Sequence, residues 1–240
     1  MKYPMIRLSH SSADRFQTCP YAYEREKLIK DVPYTETEAT SWGTRCHDYL
    51  ERFVKGEEVN LSELMMDDLT PVMQYMRDFP ADYKNAETEW AFNRRGEMCD
   101  FNDPDAMFGG YTDFEAVTRD KGWVCDYKSG KRHTKFEQVE LYALTLWLRY
   151  PQVNQINVMY MWLKDRTPDT LVSTKTLYRG TDLERIWNYR VAQYEQIKGA
   201  HLTGDFKAKP GKGRAKFPCG WCAANKSGAC DYSNVEYMAK

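Results

Sequence analysis

A chain of 240 residues with 17 Tyr, 10 Phe and 7 Trp is long enough for one large domain, or a domain with an appended subdomain, and carries the means for a real core. Its formal net charge of −1 gives no global argument for a polyanionic partner, so only local basic clusters bear on nucleic acid. No apolar stretch approaches membrane-spanning length, and the opening MKYPMIRLSHSS lacks the apolar centre of a secretory signal, so the expectation is a soluble, cytoplasmic protein with no membrane partner.

Residues 9–30, SHSSADRFQTCPYAYEREKLIK, read as a serine-capped helical turn, a Cys-Pro break and further helix. Residues 41–54 read as a helix with Trp42, Cys46, Tyr49, Leu50 and Phe53 on its core side. Residues 60–85 read as another, with apolar positions at Leu61, Leu64, Met65, Leu69, Val72, Met73 and Met76. The period then changes. Segments 88–95 (TEWAFNRR), 109–117 (GGYTDFEAV) and 122–128 (GWVCDYK) read as strands, the last two joined by a tight TRDK turn. Residues 135–150 form a helical pattern with Val139, Tyr142, Ala143, Leu146 and Trp147 in step. Segments 156–163 and 169–178 return to strand, and Thr181 with Glu184 makes a capping box for a helix to about Lys198. There is no internal repeat. Helices, then a hairpin, then strand–helix–strand predict an α/β fold: a mixed sheet with helices packed on it.

Strand alternation puts Asp126 and Lys128 on one face, at the end of an apolar run. Burying a charge is costly unless a partner or a metal compensates. Asp113, on the preceding strand of the hairpin, stands where it can approach Asp126. Two carboxylates suit a magnesium-like ion, which favours oxygen ligands and retains waters. Such an ion polarises a phosphoryl oxygen and acidifies a water, while a lysine beside it orients that water or neutralises charge gathering on phosphate. These parts suit phosphodiester hydrolysis. An ordinary salt bridge would show the same D-x-K spacing, so spacing by itself leaves both readings open.

The tail, KAKPGKGRAKFPCGWCAANKSGACDY over 207–232, has no period and supplies Cys219, Cys222 and Cys230. Seven cysteines, an odd number, fit metal ligation plus spare thiols better than a disulfide framework. Cys46, Cys99 and Cys125 read as unligated thiols in apolar or loop contexts. From spacing alone zinc is the default metal for the tail. Local positive charge, the main determinant of phosphate contact, gathers at Lys131, Arg132, His133 and Lys135, at Arg94 and Arg95, and at Lys207, Lys209, Lys212, Arg214 and Lys216. For 207–216 a solvated loop is an equal reading. Trp221 and Tyr232 are candidates for stacking on unpaired bases or for burial.

The ordered set SHSSADRFQTCPYAYE, GTRCHDYLE, GGYTDFE, VCDYKSGK, QVELY and the cysteine-rich end, spanning residues 9–231, resembles the RecB-like branch of the PD-(D/E)xK nuclease superfamily. That branch includes the CRISPR-adaptation nucleases with an iron–sulfur cluster. The resemblance implies a single nuclease domain with a restriction-endonuclease-like mixed β-sheet core flanked by helices, over about residues 36–200. It also implies a clasp from about 9–30 and 205–235, where Cys19, Cys219, Cys222 and Cys230 hold a [4Fe–4S] cluster. By analogy with loop closure such a staple contributes on the order of 5 kcal/mol. His47, Asp113, Asp126 and the carbonyl of Tyr127 become ligands of Mg²⁺ or Mn²⁺, and Lys128 the catalytic lysine. Gln138 and Tyr142, one helix turn apart, border the site within reach of the same lysine or phosphate. Glu89 matches an acid seen before the first sheet strand, with Glu87 its competitor, and Thr112 stands where the superfamily name implies proline.

The implied function is a metal-dependent exonuclease acting on DNA ends or single strands, in recombination, repair or CRISPR-adaptation-like processing, and a phage origin fits. No helicase motif is present, so an unwinding or adaptation partner would be a separate chain. Two rivals remain at this stage: a nucleic-acid-binding protein that keeps the fold without cutting, and a zinc-stabilised interaction module.

Overall fold

The computed structural model describes residues 2–60, 69–81, 83–165, 168–211 and 217–232. The chain divides into two compact units, Glu36–Tyr189 and Met1–Thr35 with Arg190–Lys240.

In the larger unit, α3 (Glu38–Val54) begins three residues before the predicted start. Thr37 and Thr40 close a reciprocal cap, each side chain accepting from the other's N–H. Of the predicted helix over 60–85, the described helical part is α4 (Thr70–Arg77), which buries Val72, Met73 and Met76. Its heptad-like run of apolar residues continues in sequence, but Phe79 precedes Pro80, and a residue before proline is steered out of the helical region. Leu61, Leu64 and Met65 lie outside the described residues.

β1 (Tyr83–Asn93), β2 (Ala106–Val117), β3 (Lys121–Lys128), β4 (Gln155–Trp162) and β5 (Val172–Tyr178) form one five-stranded sheet in sequential order. Every neighbour pair is antiparallel except β3 and β4. That parallel pair requires a crossover, which α5 (Glu137–Arg149) provides. β1 starts at Tyr83 and stops at Asn93, so Arg94 and Arg95 lie in the turn beyond the strand, and Arg95 is paired with Glu97 at 2.8 Å. Residues predicted to open the last strand instead form a short turn, α6 (Pro168–Leu171).

The helix α7 (Arg179–Thr203) follows β5 without a loop, which corrects the predicted cap. Thr181 lies inside the helix, and it is Asp182 that accepts the Tyr178 N–H at 2.9 Å. The start is set by tertiary anchoring. The Arg179 guanidinium donates to the carbonyls of Trp147 (2.6 Å) and Val153 (3.1 Å), satisfying orphan groups at and beyond the end of α5.

One face of the sheet packs against α3 and α4, with Trp42, Cys46, Tyr49, Leu50 and Met73 against Phe114, Ala116, Cys125, Tyr127 and Met159. On β3 the alternate residues Val124, Asp126 and Lys128 turn to the other side, toward α5. The approach there is close: a Cβ on Gly122 would stand 2.5 Å from the Leu146 side chain. Fully buried Glu115 is matched by the Arg149 fork at 2.9 and 2.5 Å.

The smaller unit opens with α1 (His10–Thr18), capped by Ser9 and Ser12 as the serine-rich sequence predicts. Cys19 breaks the helix, and α2 (Pro20–Tyr23) restarts with proline at its first position, leading into a π-helical turn over Glu24–Ile29. Phe16, Tyr23, His201 and Phe206 form an aromatic core, with the Tyr23 hydroxyl 3.0 Å from His201 Nε2. Among the described residues of the tail are a 3₁₀ turn (Cys219–Trp221) and α8 (Ala223–Lys226). Among the described residues no helix is long and apolar enough to cross a membrane.

Candidate active site

The β2–β3 ladder runs from Val117↔Gly122 to Phe114↔Cys125 and then opens. The next facing residues in that register are Asp113 and Asp126. Instead of a backbone carbonyl, the Asp113 carboxylate receives the Tyr127 N–H, at 2.7 Å, and this holds the fork between the strands. On the other side of β2, Glu87 falls between the pairs Ala86↔Phe114 and Thr88↔Thr112, opposite Asp113. Its φ of 48° is left-handed, a conformation that costs a non-glycine residue roughly 1–2 kcal/mol. Such strain concentrates at functional positions.

His47, from α3, reaches this fork. Its Nδ1 lies 3.5 Å from Asp113 Oδ2 and 3.8 Å from Glu87 Oε1, and its ring stands edge-on to Tyr127 with centroids 5.3 Å apart. His47, Glu87 and Asp113 offer ligand atoms all within 4.8 Å of one another, the one such set of His, Cys, Asp or Glu among the described residues. An imidazole and two carboxylates suit a divalent cation that keeps some of its waters.

Asp126 is held beside this set. Its Oδ2 is 2.6 Å from Lys128 Nζ, and its Oδ1 accepts from Gln138 Nε2 and from the Tyr142 hydroxyl at 3.3 Å. Gln138 bridges the group: its Oε1 accepts from Lys128 at 2.8 Å and its Nε2 also donates to Tyr142 at 2.8 Å. Asp126 Oδ2 is buried and, despite its ion pair, accepts no aligned hydrogen bond. The lysine also rests over the Tyr160 ring, 5.3 Å from its centre.

The electrostatics describe a site short of positive charge. Burial, and then the charge of Asp126, push the Asp113 carboxyl well above the usual range, against the pull of His47 and the Tyr127 N–H. Burial also raises Asp126, opposed chiefly by Lys128. For His47 burial favours the neutral form, but the nearby Glu87 carboxylate and the charges of Asp113 and Asp126 outweigh it, and its pKa is pushed up to about 9. A divalent cation relieves this crowding of carboxylates.

The structure therefore brings His47, Asp113, Asp126, Lys128, Gln138 and Tyr142 to one place. It joins them with Glu87, the competitor, rather than Glu89. Glu89 sits two residues along β1 and accepts from the Tyr111 hydroxyl at 2.7 Å on an exposed surface. Asp126 turns toward Lys128, Gln138 and Tyr142 rather than into the tight three-residue set. The Tyr127 side chain is buried against Met76, with its N–H spent on Asp113.

In the smaller unit Cys19, Cys222 and Cys230 pack in one cluster with Ala22 and Ala224. Three sulfurs receive N–H groups: Cys19 from Lys209 N (3.4 Å), Cys219 from Gly211 N (3.1 Å) and Cys222 from Arg15 (2.9 Å). The four sulfurs form no set mutually within 4.8 Å. A single tetrahedral zinc, with bonds of 2.3 Å, would need them about 3.8 Å apart. Cys46 and Cys125 lie buried in the core of the larger unit, as expected. Of the tail cations, Lys207 pairs with Asp205 at 3.5 Å and Lys209 Nζ donates to the Gln17 carbonyl at 2.8 Å. Lys212, Arg214 and Lys216 lie outside the described residues. Trp221 and Tyr232 are both exposed, and Tyr232 stands edge-on to Tyr21 at 4.8 Å.

A family model described as the PD-(D/E)XK nuclease superfamily matches residues 7–227. Among solved structures, a candidate exonuclease from Eubacterium rectale is similar in fold, with a TM-score of 0.50 and 10% identity over 85% of this chain and 84% of that one. SSO0001 aligns at a TM-score of 0.40 and 13% identity, over 94% of this chain and 86% of that one. No curated protein matches the sequence.

Proposed function

The chain belongs to the PD-(D/E)XK nuclease superfamily, and from that premise we propose that it is a metal-dependent deoxyribonuclease of the RecB-like branch, acting as an exonuclease on DNA ends or single strands. The observation that carries this reading is the convergence of His47, Glu87 and Asp113 beside the Asp126–Lys128 pair. A retired site has no chemical need for that set, which weighs against a silent binding protein.

The donor set fits Mg²⁺ or Mn²⁺, with His47, Glu87 and Asp113 as side-chain ligands and Asp126 and the Tyr127 carbonyl at the margin. When bound, such a cation polarises the phosphoryl oxygen and acidifies a neighbouring water. The chain's own groups do the rest. Lys128 is fixed on three sides by Asp126, Gln138 and the Tyr160 ring, so its ammonium is preorganised for charge developing on the phosphate. Gln138 keeps Asp126 and Lys128 in register, and Tyr142 supports Gln138 and Asp126 from the next turn of α5. Water oxygen forms the new P–O bond as the bond to the sugar oxygen breaks, and the leaving oxygen takes up a proton that balances the one the attacking water gives up.

The candidate exonuclease of similar fold supports the exonuclease mode. End-labelled single-stranded DNA incubated with Mn²⁺ or Mg²⁺ tests it: wild type should shorten the strand, and Lys128→Ala should lose about 100-fold or more in rate. Binding without cleavage under either metal would favour the silent binder.

We also propose that Cys19, Cys219, Cys222 and Cys230 hold a [4Fe–4S] cluster. N–H groups aimed at three of the sulfurs suit thiolates better than thiols, and sulfurs spread wider than a mononuclear site suit a cluster that binds one thiolate per iron. Anaerobically purified protein should carry about four iron and four sulfide per chain. Stoichiometric zinc without iron would refute the cluster and restore the interaction module as a rival.

A further inference from the structure

The loop that follows Lys128 is built in a way the hydrolytic site does not require. Arg132 lies over the Trp162 ring, 5.4 Å from its centre, and pairs with Asp165 through Nε at 2.8 Å and Nη2 at 2.6 Å. Its charge is thus spent on fixing the loop. The main chain is tied down as well, since the Leu163 N–H donates to the Lys128 carbonyl at 3.0 Å. Next comes His133, an exposed imidazole set nearly perpendicular to two buried rings, Tyr160 (4.9 Å, 77°) and Trp162 (5.4 Å, 82°). Phe136 backs Tyr160, and the Trp162 indole N–H is held by Ser173 at 2.9 Å, so the platform itself is rigid.

Two cations flank His133. Lys131 and Lys135 are exposed, and among the described residues neither has an acidic partner. Lys128 Nζ lies 5.3 Å from the centre of the same Tyr160 ring that carries His133 at 4.9 Å. The imidazole is therefore within about 10 Å of the lysine, some three nucleotides of rise along a strand.

We propose that residues 129–135 are the landing surface for an unpaired DNA strand leading to the hydrolytic site, with His133 as the base-stacking residue and Lys131 and Lys135 as phosphate contacts. This rests on the nuclease reading and deepens it by naming a single strand as the preferred form. A fixed, exposed ring between two uncommitted lysines offers a base a stacking partner and its flanking phosphates a charge. A base paired in a duplex cannot reach such a ring without leaving its stack. Lysines alone would hold duplex and single strand alike.

Fluorescence anisotropy without divalent metal, on a labelled oligothymidylate and a duplex hairpin of equal length, tests the assignment. His133→Ala should weaken oligothymidylate binding about fivefold to a hundredfold and change duplex binding less than about twofold. His133→Phe should restore the single-strand affinity. Replacing Lys131 and Lys135 together by Ala should weaken both and reduce the slope of log K against log salt by about 1.4 on the single strand. Equal losses on both substrates, failure of the phenylalanine to rescue, or an unchanged salt slope would overturn the landing surface. The nuclease reading fails separately, through wild-type protein that cleaves no strand with Mn²⁺ or Mg²⁺, whereas His133→Ala with full strand affinity removes only the landing surface.

Discussion

Glu87 is the sharpest place to perturb the site, because Glu89 supplies an internal control two residues away on the same strand. The Glu87 oxygen lies 3.8 Å from His47 Nδ1, and its side chain is 25% exposed. At that distance and an effective dielectric of about 20, two unit charges interact by about 4 kcal/mol. A cation held in the same cradle feels a pull of that order, and partial exposure removes a good share of it through solvent screening. Glu87→Gln, which keeps the shape, should thus weaken Mn²⁺ binding by about 1.4–2.7 kcal/mol, tenfold to a hundredfold. Titration calorimetry reads this directly. Glu89→Gln, which only loses the exposed bond to Tyr111, should change binding less than about twofold. The backbone provides a second readout. Glu87→Gly frees the φ of 48° from side-chain strain, so the metal-free variant should be more stable by about 1 kcal/mol while binding metal poorly. Equal effects at 87 and 89, or wild-type affinity in Glu87→Gln, would refute the assignment of the third ligand.

Other expectations concern the frame around the site. Arg149→Met leaves Glu115 charged and fully buried, and should cost about 3–5 kcal/mol in urea unfolding, while Glu115→Leu added to it should recover most of that loss. The Glu140 carboxyl is held below its usual range: burial opposes this, but the hydrogen bonds from Lys175 and Arg185 outweigh it. A depressed carboxylate stabilises above its unfolded pKa and loses that contribution as pH falls through the folded value. Glu140→Gln should therefore be less stable than wild type at pH 7, and the difference should close as the pH drops below about 4. Thermal melts across pH check it, and a gap that widens in acid would reverse the sign.

Much of the site is legible in the sequence because its determinants are local. The short turn between β2 and β3 pins their register, so Asp113 falls opposite Asp126, and strand alternation alone pairs Asp126 with Lys128. One helical turn brings Gln138 and Tyr142 together. Glu87 resists such reasoning. The connection from Asn93 to Ala106 is irregular, so the β1 register is set by tertiary packing such as Trp90 against Gly110 and Phe92 against Phe108. A left-handed glutamate inside a strand carries no signal that a propensity can read. The boundaries that shift do so for similar reasons. Phe79–Pro80 ends a helix whose apolar period runs on, and the anchoring of Arg179 starts α7 ahead of the Thr181–Glu184 pair.

The most direct test of the metal centre is anomalous diffraction from crystals soaked in Mn²⁺. One strong peak should lie about 2.0–2.3 Å from His47, Glu87 and Asp113 atoms, with the Lys128 ammonium alongside but not bound. A peak elsewhere with this cradle empty, or no peak at manganese levels that support cleavage, would contradict the account.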